Sequence, residues 1–305
     1  MAFTRITQSM LNRSLLNDLY EVSGRLSTGQ RKLSSGKELT RPSDDPFAVS
    51  RAISLRDELE GIRQSQRNVA EALAWNGVTE TALARVGDVV KRAKELAIQG
   101  ANDANDAVAR ETLATEIDQL IEAAKQNMNA DHANRYVFSG TLTNTQPYTP
   151  GGVDTYNGNT GPIFREIGPG VSVQVNVLGS DILGNGQGAA DNRLLHVLRD
   201  VAQHLRGNTA ADLAALRGTD LQRLDDNFDE LSRVRAQVGA VTARLESADA
   251  SLRELEETAV TLLSDTEDAD MAKTLVDFTT QQTVYQSALK AGAQVVQSSL
   301  LDFLR

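Results

Sequence analysis

The residues able to do chemistry are few, and their spacing works against it. Histidine occurs at positions 132, 196 and 204, and cysteine is absent. No metal-ligand spacing relates the imidazoles, and no thiolate completes a zinc set, serves as a nucleophile or forms a disulfide. Asp265, Glu267, Asp268 and Asp270 form an acidic group, but it lacks the glycine and the ligand spacing of a calcium loop. Its expected role is favourable charge at a helix N-terminus, with Ser264 and Glu267 spaced as a capping box. Gly184-Asn185-Gly186-Gln187-Gly188 follows an alternating valine run and precedes a helix. A dinucleotide loop would need a wholly apolar strand running directly into the glycines and a second βαβ unit, so this segment reads as a connector. Trp75 lies beside an apolar stripe and reads as a packing residue or a contact with a neighbouring subunit. No catalytic, cofactor-binding or metal-binding residue is expected, and an enzyme or ligand-binding protein built on the middle of the chain would need convergent groups that are missing there.

The elements around these residues follow one plan: both ends read as helix and the middle does not. Leu11, Leu15, Leu19, Val22 and Leu26 form an apolar stripe that runs out at Gly29, Ser34, Ser35 and Gly36. Arg41-Pro42-Ser43-Asp44-Asp45-Pro46 breaks the chain, and Asp44 or Asp45 is placed to cap a helix with Pro46 in its first turn. That helix carries Ala52, Leu55, Leu59, Ile62, Gln66, Val69 and Leu73, then Leu83, Val86, Val90, Ala93 and Ala97. A third begins at Asn105 or Asp106 with a seam of Leu113, Ile117, Leu120 and Ala124. From Tyr136 to Gly188 glycine and proline are frequent, and Tyr136/Phe138 and Val171/Val173/Val175/Val177 alternate as strands exposed on one face. Helix returns near Asp191, and an apolar series from Leu224 to Leu262, Leu255 included, describes one rod roughly 57 Å long at ~1.5 Å per residue. A last helix carries Met271, Leu275, Phe278, Tyr285, Leu289, Val296 and Phe303. The fold class expected is mainly α: long antiparallel helical rods or coiled coil from both chain ends, with a small inserted β-rich domain. The expected divisions are terminal assembly helices at 1–45 and 264–305, a helical rod domain at 46–140 and 190–263, and a β-rich outer insertion at 141–189.

Composition agrees. Aromatics are 4% of residues, which suits thin helical seams better than a thick core. The net charge of −10 opposes a nucleic-acid partner. Met1–Tyr20 lacks the continuous apolar run of a secretory signal, and no stretch approaches the roughly 20 apolar residues of a membrane span, so no membrane partner is expected. A helix with an apolar seam needs a partner for it. Leu15, Leu19, Val22, Leu26, Met271, Leu275, Phe278, Tyr285, Leu289, Val296 and Phe303 are therefore the candidate assembly residues, able to pair with each other and with copies from neighbouring chains. Residues 1–45 carry net +2 and residues 264–305 net −3, which favours that pairing.

Several motifs then resemble one family. Arg25-Leu26-Ser27-Thr28-Gly29, Pro42-Ser43-Asp44-Asp45-Pro46 and Ala52-Ile53 are similar to the N-terminal region of the flagellin superfamily. Asp270-Met271-Ala272, Gln281-Gln282-Thr283, Tyr285-Gln286 and Ser299-Leu300-Leu301-Asp302-Phe303-Leu304 are similar to its C-terminal region. The form of 42–46, with Asn134-Arg135-Tyr136-Val137-Phe138-Ser139-Gly140-Thr141 and Tyr156-Asn157-Gly158-Asn159, resembles the branch found between hook and filament. Arg305 is closer to filament flagellin, which stands as the alternative. The resemblance implies a structural subunit of the bacterial flagellum, secreted by type III export and cytoplasmic before it. Its implied partners are copies of itself in a ring, the other hook–filament junction protein, filament flagellin, and a cytoplasmic export chaperone on the C-terminal helix. Covering an unpaired apolar face before export gives that chaperone a physical purpose.

Overall fold

The computed structural model describes residues 8–186 and 189–303. Its elements in chain order are α1 (Gln8–Ser35), α2 (Pro46–Gly100), α3 (Ala107–Met128), β1 (Asp131–His132), β2 (Arg135–Tyr136), β3 (Phe164–Gly168), β4 (Val171–Gln174), α4 (Gly179–Ile182), α5 (Leu194–Gly207), α6 (Ala210–Ala215), a π-turn (Leu216–Asp220), α7 (Leu221–Glu267) and α8 (Met271–Phe303). The chain forms two compact units, one of the described residues up to Glu60 and from Glu256 onward, the other Gly61–Leu255. The division falls inside α2 and α7.

Local chemistry sets the helix ends. Asp45 Oδ1 accepts from the amides of Phe47 and Ala48 at 3.0 Å, with Pro46 as the first helical residue. Of the two candidates for α3, Asp106 is the cap, accepting from Ala109 N at 2.7 Å. The capping box expected at Ser264–Glu267 is not formed. Helix α7 continues through that segment, and Asp270 caps α8 through a 3.0 Å bond from Lys273 N. Ser264, Asp265 and Thr266 are only middling helix formers, but no glycine or proline interrupts the segment, so the rod continues through Glu267.

Unit Gly61–Leu255 has its core where α2, α3, α5 and α7 meet. Asn76–Thr242, Glu80–Arg235 and Lys94–Asp225 contacts run in opposite directions along α2 and α7, so these helices are antiparallel. Val69, Leu83, Val86, Val90, Ala93 and Leu96 are buried on α2, which is covered on two sides. On α7, Leu224, Leu231, Val234, Val238, Leu245 and Leu252 are buried, whereas Leu255 is 51% exposed and departs from the expected seam. The α3 seam runs through Ile121 rather than Leu120, which is half-buried.

Strand is sparse: β1 pairs with β2 and β3 with β4, each as a two-stranded antiparallel sheet, with an irregularity between Glu166 and Gly168. The rest of residues 137–186 is held by backbone hydrogen bonds between loops, such as Asn159 N to the Ser139 carbonyl at 3.1 Å, and by side-chain hydrogen bonds. Tyr156 Oη donates to the carbonyl of Phe138 at 2.8 Å, and Asn159 Oδ1 accepts from Thr141 N at 2.7 Å. Tyr148 is fully buried and donates to the carbonyl of Gly184 at 2.7 Å. Burial pushes both phenols up, Tyr156 to about 12, so they serve as donors and not as acids. The two motifs around 134–141 and 156–159 are thus halves of one hydrogen-bonded knot, packed in the same unit as α3 and α5.

Candidate assembly site

Helices α1 and α8 lie side by side within the first unit. A Cβ built on Gly29 would sit 3.3 Å from Phe278 Cδ2, and one on Gly292 would sit 2.8 Å from Leu15 Cδ2. The pairing of 29 with 278 and of 15 with 292 makes the helices antiparallel, and small residues let them approach closely. On α1, Val22 is buried and Leu15, Leu19 and Leu26 are half-buried. On α8, Phe278 and Tyr285 are half-buried, with Thr274 and Gly292 buried along the same line.

The rest of the α8 seam does not face α1. Met271, Leu275 and Leu289 are 47%, 53% and 46% exposed. At about 100° per residue, these three lie about 60–100° around the helix from the contact line. The apolar stripe legible in the sequence is wider than one partner helix can cover. Val296 and Phe303 belong to α8, but their side chains, like that of Leu11, lie outside the described residues. On α1, Leu16 and Tyr20 are also exposed, at 52% and 75%. In an antiparallel pair the same sense of rotation leads to the same side on both helices, so Leu16, Tyr20 and Leu289 share one side. The opposite side is a polar groove of about 780 Å³ lined by Glu21, Arg25, Thr28, Lys32, Lys273 and Asp277. One side of the pair therefore carries most of these exposed apolar residues, and the other, on which Val284 is also exposed, carries the charges.

Glu267, expected at a helix start, ends α7 and is buried between cations. Its Oε1 lies 2.5 Å from an Arg56 guanidinium nitrogen and 3.2 Å from Lys37 Nζ. Sequence reasoning also missed Lys125. This residue is fully buried on α3, with Nζ 3.0 Å from Asp154 Oδ1 and 2.6 Å from Glu122 Oε1. Asp154 further accepts from Arg199 Nε at 2.7 Å. A lysine falling four residues after Ile121 on an apolar stripe was the available signal. The histidines are dispersed: His204 Nδ1 meets Asp220 Oδ2 at 2.6 Å, His196 Nε2 lies 3.6 Å from Asp200, and His132 packs edge-on to Trp75 at 6.4 Å. Trp75 is itself buried, as a packing residue would be. Among the described residues no three such ligands gather around a possible metal position. None of the described helices is long and apolar enough to cross a membrane.

Comparison with known proteins identifies this arrangement. Residues 6–143 match the bacterial flagellin N-terminal helical region, and residues 221–304 match the bacterial flagellin C-terminal helical region. The chain belongs to the bacterial flagellin family. Members of that family are structural, and the chain is a flagellar structural protein. It is 28% identical to the flagellin of Bacillus subtilis (strain 168), over 96% of this chain and 98% of the relative. It is also 28% identical to flagellar hook-associated protein 3 of Escherichia coli (strain K12), over 89% of this chain and 90% of the relative. Overall identity thus does not separate filament from junction. The fold is that of a flagellar hook-associated protein from Vibrio parahaemolyticus, at TM-score 0.66 and 23% identity, covering 74% of this chain and all of that one.

Proposed function

We propose that this chain forms the junction between hook and filament, assembling through its terminal helices after type III export. The observation that carries the junction reading is the Pro42-Ser43-Asp44-Asp45-Pro46 turn. Asp44 Oδ2 accepts from Arg41 N at 2.8 Å, Thr40 N at 3.2 Å and Thr40 Oγ1 at 3.0 Å. Burial would raise the Asp44 carboxyl, but these bonds, Thr40's hydroxyl foremost, hold it below the usual range. The turn is thus a hydrogen-bonded corner between α1 and α2 in the sequence form that resembles the junction branch. Self-assembly is supported by the uncovered apolar side of the α1–α8 pair, an apolar patch of the kind that marks interaction sites. Copies of the chain in a ring, the other junction protein and filament flagellin are the proposed partners. A cytoplasmic chaperone would cover Met271, Leu275, Phe278, Tyr285 and Leu289, with Val296 and Phe303 in the same helix, before export.

Filament flagellin is the second reading, favoured by the equal identity to a flagellin. Electron micrographs of cells lacking the chain, with quantitation of the chain per flagellum, decide between them. The junction reading expects bare hooks, filament subunits shed into the medium and a copy number fitting a short ring. Filaments still attached, or thousands of copies along each filament, would overturn it.

A further inference from the structure

A short clasp joins the α1–α8 pair to the remainder of its unit. Residues 36–38 and 267–269 form a two-stranded contact in which Glu38 N donates to the Glu267 carbonyl at 2.7 Å and Ala269 N donates to the Gly36 carbonyl at 2.9 Å. Lys37 and Asp268 face each other across this antiparallel bridge, 231 residues apart in sequence. Their side chains pair at 2.5 Å, and Ser264 Oγ holds the second Asp268 oxygen at 2.6 Å. These groups are well exposed, so their pairing alone contributes little. Glu267 differs. Its side chain is 6% exposed, Oε1 is shared by Lys37 and Arg56, and Oε2 is buried without a hydrogen-bond partner. A buried carboxylate requires its cations, since removing one partner of such a set is costly. The two cations come from different places: Lys37 from the reversal after α1, Arg56 from α2. One carboxylate at the end of α7 therefore ties three of the four helical segments entering this region, and α8 departs four residues later.

We infer that Glu267 is a positioning residue that fixes the direction of the α1–α8 pair relative to the adjoining ends of α2 and α7 in the same unit, and so presents the pair's exposed apolar residues to neighbouring copies. Without its charge, the clasp keeps its two backbone hydrogen bonds and the half-exposed Lys37–Asp268 pair but loses its buried anchor. Subunits that must meet in one geometry then meet in many. The effect on assembly rests on the proposed self-assembly reading, whereas the effect on the clasp does not.

The absence of cysteine makes a clean test possible. Lys37 and Asp268 form a non-hydrogen-bonded antiparallel pair, for which Cα atoms stand about 4.5 Å apart, within the span of a disulfide. In purified full-length protein, Glu267→Gln should accelerate amide exchange at Glu38 and Ala269 at least tenfold while leaving Gly61–Leu255 protected as in the wild type. Adding Lys37→Cys and Asp268→Cys to that variant should restore slow exchange when oxidised and lose it on reduction. In cells, Glu267→Gln should be exported normally yet retain filaments under shear at least tenfold less well, and the oxidised cysteine pair should recover retention. Unchanged exchange at the two amides, or exchange loss spreading through Gly61–Leu255, would overturn the inference. A wild-type clasp whose loss changes exchange but not filament retention would overturn its role in assembly. Filaments that stay attached when the whole chain is deleted would instead sink the junction reading and leave the clasp result standing.

Discussion

Replacing Asp154 with Ala tests whether the segment between β2 and α5 is an appendage or part of the core. Asp154 is 6% exposed and accepts three charged hydrogen bonds: from Lys125 Nζ at 3.0 Å and from Arg199 Nε and a terminal guanidinium nitrogen at 2.7 and 3.2 Å. Its loss leaves Lys125 fully buried with Glu122 as its remaining carboxylate, whereas Arg199 keeps Asp118 at 2.8 Å. Breaking a buried pair costs about 3–5 kcal/mol, and the retained partners place this case near the lower end, at about 3 kcal/mol. For a domain of this size that is a fall in Tm of about 6–12 °C. Asp154→Leu with Lys125→Met removes both charges and should recover most of the loss, because an apolar replacement of a buried pair is often neutral. Burial alone would raise the Asp154 carboxyl, but the bonds from Arg199 and then Lys125 outweigh it and hold it below the usual value. A carboxyl depressed in the folded state contributes stability above its unfolded value, about pH 4, and loses it as pH falls through the folded one. The gap between wild type and Asp154→Ala should therefore be constant above about pH 5 and narrow below about pH 4. Thermal and urea melts across that range measure it. A cost under about 1 kcal/mol, or a double variant as unstable as the sum of its singles, would refute the reasoning.

Gly140→Ala should cost more than about 2 kcal/mol, since φ is +66° and the new Cβ would lie 2.1 Å from the Asn159 carbonyl oxygen; Gly239→Ala, in open helix, should stabilise by about 0.5–1 kcal/mol. Urea midpoints read both, and equal effects at the two sites would refute the strained knot. Leu275→Asp with Leu289→Asp should leave the melt within about 0.5 kcal/mol of wild type, as both are surface positions. The same pair should reduce chaperone affinity and filament attachment at least tenfold, and full attachment with normal affinity would refute the proposed apolar interface. Phe278 is a poor choice for that test because it packs on Gly29 and its loss would damage the α1–α8 pair itself.

How much of this was legible depended on whether one residue's environment follows from its neighbours in sequence. The α2 and α7 seams were readable because a three-four period continues over many turns and both helices find apolar partners along most of it. The caps were readable to within one residue, as Asp44 or Asp45 and Asn105 or Asp106, because capping is decided within four residues; the structure chooses Asp45 and Asp106. The end of α7 was misread for a related reason: Ser264–Glu267 satisfies the local rule, but so does continued helix, and the contact that decides between them is with Lys37 and Arg56, over 200 residues away. Lys125, Asp154 and Arg199 were invisible because their charges cancel only in space. In sequence each is a charged residue of a type that is usually solvated. That cluster also changes what the middle of the chain can be. Removing Thr141–Ala189 looks harmless while the segment is a glycine-rich strand region between helices. With Tyr148, Ile182 and Leu183 buried and Asp154 neutralising Lys125, the deletion would uncover a core and strand a buried ammonium. The assembly seam shows the opposite limit. Its stripe on α8 is regular, yet Met271, Leu275 and Leu289 stay exposed while Phe278 and Tyr285 turn toward α1. Periodicity reports that a helix has an apolar face and says nothing about how many partners divide it, so a stripe wider than its one visible partner is itself the argument for another.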